Sequence, residues 1–158
     1  MNRDMLVIID EAPLDLAILR EIFKGLFHVE CFEETRPAIA CIHRSLSRVC
    51  AILLGIRPGK RKSGLQVLEQ LQTAEKTEAL PVVLFASDAK KEDVLHAVEK
   101  GAADFLIKPF NPLTAQERVC AVVHAAWPAG SGLRCFRNGA STGTYPRAGR
   151  VRRGSRGM

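Results

Sequence analysis

Three runs in this chain are apolar at nearly every position: LVII at 6–9, VCAILL at 49–54 and PVVLFA at 81–86. A strand with one wet face alternates apolar and polar residues, because successive side chains point to opposite faces. Runs without alternation belong to strands buried on both faces, which means a parallel sheet covered by helices on each side. The intervening segments have helical spacing. Pro13 opens the first helix, where its missing N–H costs nothing. Leu14, Ile18 and Ile22, joined by Leu19, Phe23 and Leu26, form its apolar stripe. The cycle then repeats. Residues 28–32 form a strand, and Pro37 starts a helix carrying Ile39, Ile42 and Leu46. Leu65, Leu68 and Leu71 mark a third helix, and Val94, Leu95 and Val98 mark a fourth that ends at Gly101. Residues 105–107 form the fifth strand. Thr114-x-x-Glu117 reads as a capping box opening a last helix through Val119, Val122 and Val123.

Five strands alternate with five helices, so the expected fold class is α/β, a doubly wound parallel sheet. Right-handed crossovers bring the C-terminal ends of all strands to one edge, where ligand sites collect. The residues expected at that crevice are Asp10-Glu11, Gly55-Ile56, Ala86-Ser87 and Lys108-Pro109.

The 158 residues suffice for one domain with a full core, and the 47% apolar and 25% charged shares fit a globular chain. The net charge of +6 is unevenly placed. Seven arginines (134, 137, 147, 150, 152, 153 and 156) and no acid lie between Pro128 and Met158, which leaves residues 1–127 with 16 basic and 17 acidic groups. The expected organisation is a near-neutral domain over 1–127 and a flexible Arg/Gly-rich tail over 128–158. No apolar run approaches the ~20 residues that span a bilayer, and the start has no secretory signal pattern, so the expected location is the cytoplasm with no membrane contact. Five cysteines without a C-x-x-C pair read as reduced, small apolar side chains. The four histidines lack metal-ligand spacing.

"MLVIIDE" resembles the first strand and acidic pair of bacterial response-regulator receiver domains. "LPVVLFASDAKKEDVLHAVEKGAADFLIKPF" is similar to that family's segment from strand four to strand five, including its Gly-Ala and Lys-Pro-Phe ending. The resemblance covers about residues 4–126. It implies a flavodoxin-like sheet of strand order 2-1-3-4-5 and a cis Lys108–Pro109 peptide. In such domains an Asp ending strand three takes a phosphoryl group from a histidine kinase. Acids after strand one help to hold Mg²⁺. A hydroxyl after strand four and a lysine after strand five bind the phosphoryl oxygens.

Carried over by position, Asp10 and Glu11 match the acidic pair, Lys108 the phosphate-binding lysine and Phe105 the aromatic switch position. "AILLG" aligns with the family's "LILLD", so Gly55 stands where the phosphoacceptor should be, and residues 51–64 contain no acid at all. The hydroxyl position matches Ala86, with Ser87 adjacent but pointing the other way on a strand. The resemblance therefore implies a pseudo-receiver with no phosphoacceptor. With one ligand lost, the expected cofactor is none, or weak Mg²⁺ at Asp10 and Glu11, and Lys108 is expected to pair with those acids. Arg57, Lys60, Arg61 and Lys62 are candidates to replace the cation, against a plain solvated loop.

The functional reading is a two-component signalling module, not an enzyme, because the crevice offers no nucleophile–base pair. It would bind a protein partner, or a second copy of itself, through helix four, strand five and helix five, about residues 91–126. The alternatives are anion sensing through Lys108 and nucleic-acid binding through the arginine tail. An out-of-frame end in place of a lost output domain would account for the tail equally well.

Overall fold

The computed structural model describes residues 3–56, 64–87 and 91–128. Five strands, β1 (Met5–Ile9), β2 (His28–Phe32), β3 (Val49–Gly55), β4 (Val82–Ala86) and β5 (Asp104–Ile107), alternate with five helices, α1 (Pro13–Phe23), α2 (Thr35–Arg44), α3 (Gly64–Thr73), α4 (Lys91–Glu99) and α5 (Pro112–Ala126). The strands form one sheet in the order β2-β1-β3-β4-β5, and every pairing is parallel. This is the flavodoxin-like arrangement expected from the sequence. The Lys108–Pro109 peptide is cis.

The lack of alternation in the strands has a direct structural counterpart. Successive residues feed two different cores. Val7, Ile9, Ile52, Leu54, Leu84 and Phe105 pack on the face covered by α2, α3 and α4. Leu6, Ile8, Leu53, Val83, Phe85 and Leu106 pack on the other face, under α1 and α5. Each such side chain contributes about 1.5–3 kcal/mol of burial, so both faces had to be apolar for the sandwich to hold. Gly101 ends the turn after α4 at φ +105°, a conformation that L side chains rarely adopt.

Three local expectations are corrected. In α1 the buried stripe is Leu16, Leu19, Ile22 and Phe23, while Leu14 and Ile18 are 70% and 40% exposed. The helix is apolar at most positions, so several stripes can be drawn on it. The packing of α5 against α1, tied by Gln116 Nε2 donating to Ile22 O at 2.7 Å, selects one. In α5 the N-cap is Asn111, whose side-chain oxygen accepts from Thr114 N–H at 3.0 Å. Pro112 at the first helical position moves the start three residues ahead of the expected capping box. Cys31, Cys41 and Cys50 are free thiols, but Cys120 is disulfide-bonded, against the expectation of five reduced cysteines.

At the sheet's N-terminal edge, the Trp127 indole N–H donates to Cys50 O at 2.9 Å. The Arg3 guanidinium lies 3.8 Å from the centre of the Trp127 ring and donates to Leu46 O and Val49 O. Trp127 packs against both cores and seals that edge.

Candidate functional site: the crevice at the C-terminal sheet edge

Backbone hydrogen bonds continue past the strands and fix the crevice residues. Asp10 N–H donates to Phe32 O, Ile56 N–H to Phe85 O and Lys108 N–H to Ala86 O, at 2.9–3.0 Å. Asp10, Gly55, Ala86 and Lys108 therefore stand at one edge of adjacent strands, as the crossover argument requires.

Asp10 is 94% buried, its residue only 6% exposed. Its Oδ2 accepts from Ala12 N–H at 3.4 Å. Ile9 is in register with Leu54, so Asp10 falls beside Gly55. The carboxylate lies in the space that a side chain at 55 would occupy. A Cβ at position 55 would stand 2.3 Å from Asp10 Oδ1, 2.7 Å from Asp10 Cγ and 3.1 Å from Phe85 Cε2. Glu11, the next residue, is exposed.

Lys108 is joined through its Nζ to Asp15 Oδ2 on the first turn of α1. Both side chains are largely shielded, at 23% and 16% exposure. The expected partners were Asp10 and Glu11; the partner found is Asp15. Only its position on the α1 face turned toward β5 singles it out, and in the sequence it reads as an ordinary acid near a helix N-terminus. The Lys108 Nζ also lies 6.0 Å from the centre of the Phe85 ring, which is held edge-on against Phe110 at 5.7 Å. Phe85 thus touches the space beside Gly55, Lys108 and the β5–α5 loop, a role that nothing in PVVLFA marks out.

Ala86 is buried in the core under α4, and Ser87 beyond it is exposed. Phe105 is buried and turned inward. The cations Arg57, Lys60, Arg61 and Lys62, and the arginine tail from residue 129 on, lie outside the described residues.

A second surface adjoins the crevice. Val94, Val98, Phe105, Ile107, Pro109 and Arg118 are among the residues lining a groove of about 640 Å³ between α4, β5 and α5. Of these, Val98 and Ile107 are 37% and 49% exposed, and Leu95, elsewhere on α4, is 55% exposed. Arg118 crosses the groove floor to Asp104 with two hydrogen bonds of 2.6 and 2.9 Å, a bidentate geometry that fixes α5 on β5. No described helix is long and apolar enough to cross a membrane.

Comparison with known proteins agrees with this geometry. The phosphate regulon transcriptional regulatory protein PhoB of Escherichia coli is 28% identical over 128 residues, covering 81% of this chain and 55% of PhoB. The chain thus spans about half the length of the curated relatives it matches. A putative response regulator from Chloroflexus aurantiacus superposes with a TM-score of 0.69 at 22% identity, over 77% of this chain and 98% of that one. The Vibrio cholerae chemotaxis protein CheY4 does so with a TM-score of 0.67 at 17% identity, over 76% and 98%. These two likenesses concern the fold. The family model for the response regulator receiver domain matches residues 6–120. The chain belongs to the response regulator receiver domain family of two-component signalling.

Proposed function

We propose that this receiver domain signals without aspartyl phosphorylation, as a pseudo-receiver that acts through protein contacts made by the α4–β5–α5 face. One observation carries the reading: β3 ends at Gly55, which has no group able to accept a phosphoryl, and the nearest carboxylate is the buried Asp10 packed against it. Glycine removes the nucleophile outright, so the usual covalent step has no acceptor.

The α4–β5–α5 face supports the second half of the reading. Exposed Val98 and Ile107 line an apolar groove, and the Asp104–Arg118 pair stiffens it. Buried apolar side chains framed by fixed polar groups are what protein interfaces use as anchors. Phe105 lies inward beneath this face, so the groove exists without any signal from the crevice. Anion sensing through Lys108 is the weaker reading, because Asp15 already holds the ammonium and competes with any incoming anion.

The test has two arms on the full chain. Incubation with acetyl phosphate and Mg²⁺, followed by intact-mass measurement, is expected to show no base-labile phosphoryl adduct; such an adduct would refute the first half. Affinity enrichment with wild type and with Ile107→Asp is expected to show partners lost in the variant. Retention of every partner by Ile107→Asp would refute the assignment of the face.

A further inference from the structure

The strand β2 lies at the sheet edge opposite β5, and a groove of about 560 Å³ opens where it runs into α2 beside α1. The walls are largely apolar: Pro13 and Leu16 on α1, Phe32 at the end of β2 and Pro37 on the first turn of α2. Glu33 and Glu34, in the β2–α2 connection, also line it, and both are exposed. Acids ahead of a helix suit its N-terminal dipole. That role does not engage them here, since Glu34 stands at the N-cap of α2 and makes no side-chain cap bond. Among the described residues neither carboxylate has an ion-pair partner. Arg20, on the α1 wall, is the one cation among the described lining residues, so the groove carries a surplus of negative charge.

Apolar walls ending in two unpaired carboxylates suit a segment that joins an apolar ring to cations and has no acid of its own. The chain contains such a segment. Seven arginines and no acid lie between Pro128 and Met158. Within that stretch Tyr145-Pro146-Arg147 sets a ring and a proline directly before a guanidinium, and Arg150, Arg152 and Arg153 follow. Reach selects this run over Phe136, the other aromatic of the stretch. Trp127 is anchored at the N-terminal edge of the sheet by its bond to Cys50 O, whereas the groove adjoins the C-terminal end of β2. A domain of this size is about 35 Å across. Phe136 lies nine residues beyond Trp127, at most about 30 Å of extended chain. Tyr145 lies 18 residues beyond it, about 60 Å, enough to pass around the domain.

We infer that the groove between α1, β2 and α2 is a docking site for residues 145–153 of this same chain. The Tyr145 ring and Pro146 meet the apolar walls, and the arginines meet Glu33 and Glu34. Covalent attachment favours the contact. A tethered segment sits at an effective concentration in the millimolar range, so contacts too weak to hold a free peptide suffice. The groove then carries its own occupant and is closed to outside peptides. This inference goes beyond the proposed function and does not rest on it, because the α4–β5–α5 face lies at the other edge of the sheet.

The experiment replaces Tyr145 in the full chain by p-benzoylphenylalanine, an aromatic residue that crosslinks on irradiation, and maps the products by peptide mass spectrometry. The expected crosslinks are within one chain and fall on residues 13–20 and 31–37. Their yield is expected to drop at least about threefold with Glu33→Gln and Glu34→Gln together, as loss of two exposed ion pairs requires. The same drop is expected at about 0.5 M salt, an arm that needs no change in the domain. Crosslinks that map elsewhere, crosslinks that join two chains, the absence of any crosslink, or a smaller drop in either arm overturns the assignment.

Discussion

Lys108, at the end of β5, holds Asp15, three residues into α1, across 93 positions of sequence. The pair ties a helix on one sheet face to the loop that launches α5. Both groups are mostly shielded from water, so removing one partner leaves the other charge poorly solvated. Asp15→Ala is expected to destabilise the domain by about 1–3 kcal/mol. The variant carrying both Asp15→Leu and Lys108→Met should recover most of that, since an apolar pair leaves no orphan charge. Urea unfolding of the three proteins provides the measurement. A loss under about 0.5 kcal/mol for Asp15→Ala would show that the pair is solvated in solution.

Restoring the nucleophile should not restore the chemistry. Gly55→Asp supplies a carboxylate but also displaces that of Asp10, and Ala86 still provides no hydroxyl for a phosphoryl oxygen. The expected outcome is Mg²⁺ binding with slow phosphorylation from acetyl phosphate. Adding Ala86→Thr should raise the rate by roughly 10²-fold, the usual scale for one donor to a developing oxyanion. A single variant as fast as the double would mean that the hydroxyl is dispensable here.

Stability should fall steeply at high pH because of Cys50. Burial pushes its thiol from the ordinary 9.0 up to about 12, with the Asp4 carboxylate adding to the effect. The folded state therefore keeps this proton between pH 9 and 12 while the unfolded chain gives it up. Stability from this group is intact below pH 9 and declines as pH rises toward 12, by about 4 kcal/mol over the window. Cys31 and Cys41, also raised by burial, act in the same direction. Guanidine unfolding at pH 8 and pH 10.5 should show a smaller loss for Cys50→Ala than for wild type. Identical losses would contradict the assignment to Cys50.

Trp127 should matter to stability far more than its place at the end of α5 suggests. Trp127→Phe removes the indole donor to Cys50 O and is expected to cost about 1 kcal/mol. Trp127→Ala also exposes both cores at their shared edge and strips the ring from Arg3, for about 3 kcal/mol. Thermal unfolding of both variants measures the ladder, and equal midpoints for Phe and Ala would assign the whole effect to the hydrogen bond.

The fold was readable because two-sided burial leaves a mark that single residues cannot hide. A run such as VCAILL has no wet face, and that property alone leads to a parallel sheet with two covering layers. Finer features escaped where the sequence is degenerate. In α1, Leu14, Leu16, Ile18, Leu19, Ile22 and Phe23 allow more than one stripe, and the choice lies in the sheet beneath. In α5, Thr114 reads as the cap, whereas the helix is capped by Asn111 with Pro112 at its first position. Within the crevice, Asp10, Gly55 and Lys108 could be placed at one edge from topology. Their contacts could not. That Asp10 presses on the space at 55 depends on the register of β1 on β3, and that Asp15 meets Lys108 depends on how α1 is turned. Both are angular facts without a sequence signature.

The Arg3–Trp127 stack brings the first and last described segments together at one pole, opposite the crevice and clear of the α4–β5–α5 groove. Domains whose two ends meet tolerate being spliced into other chains, because host segments can enter and leave at a single point. This module is accordingly portable. Grafted by that pole into a loop of an unrelated carrier protein, it would keep its sheet and present the crevice and the α4–β5–α5 groove outward, like a lamp held by its base.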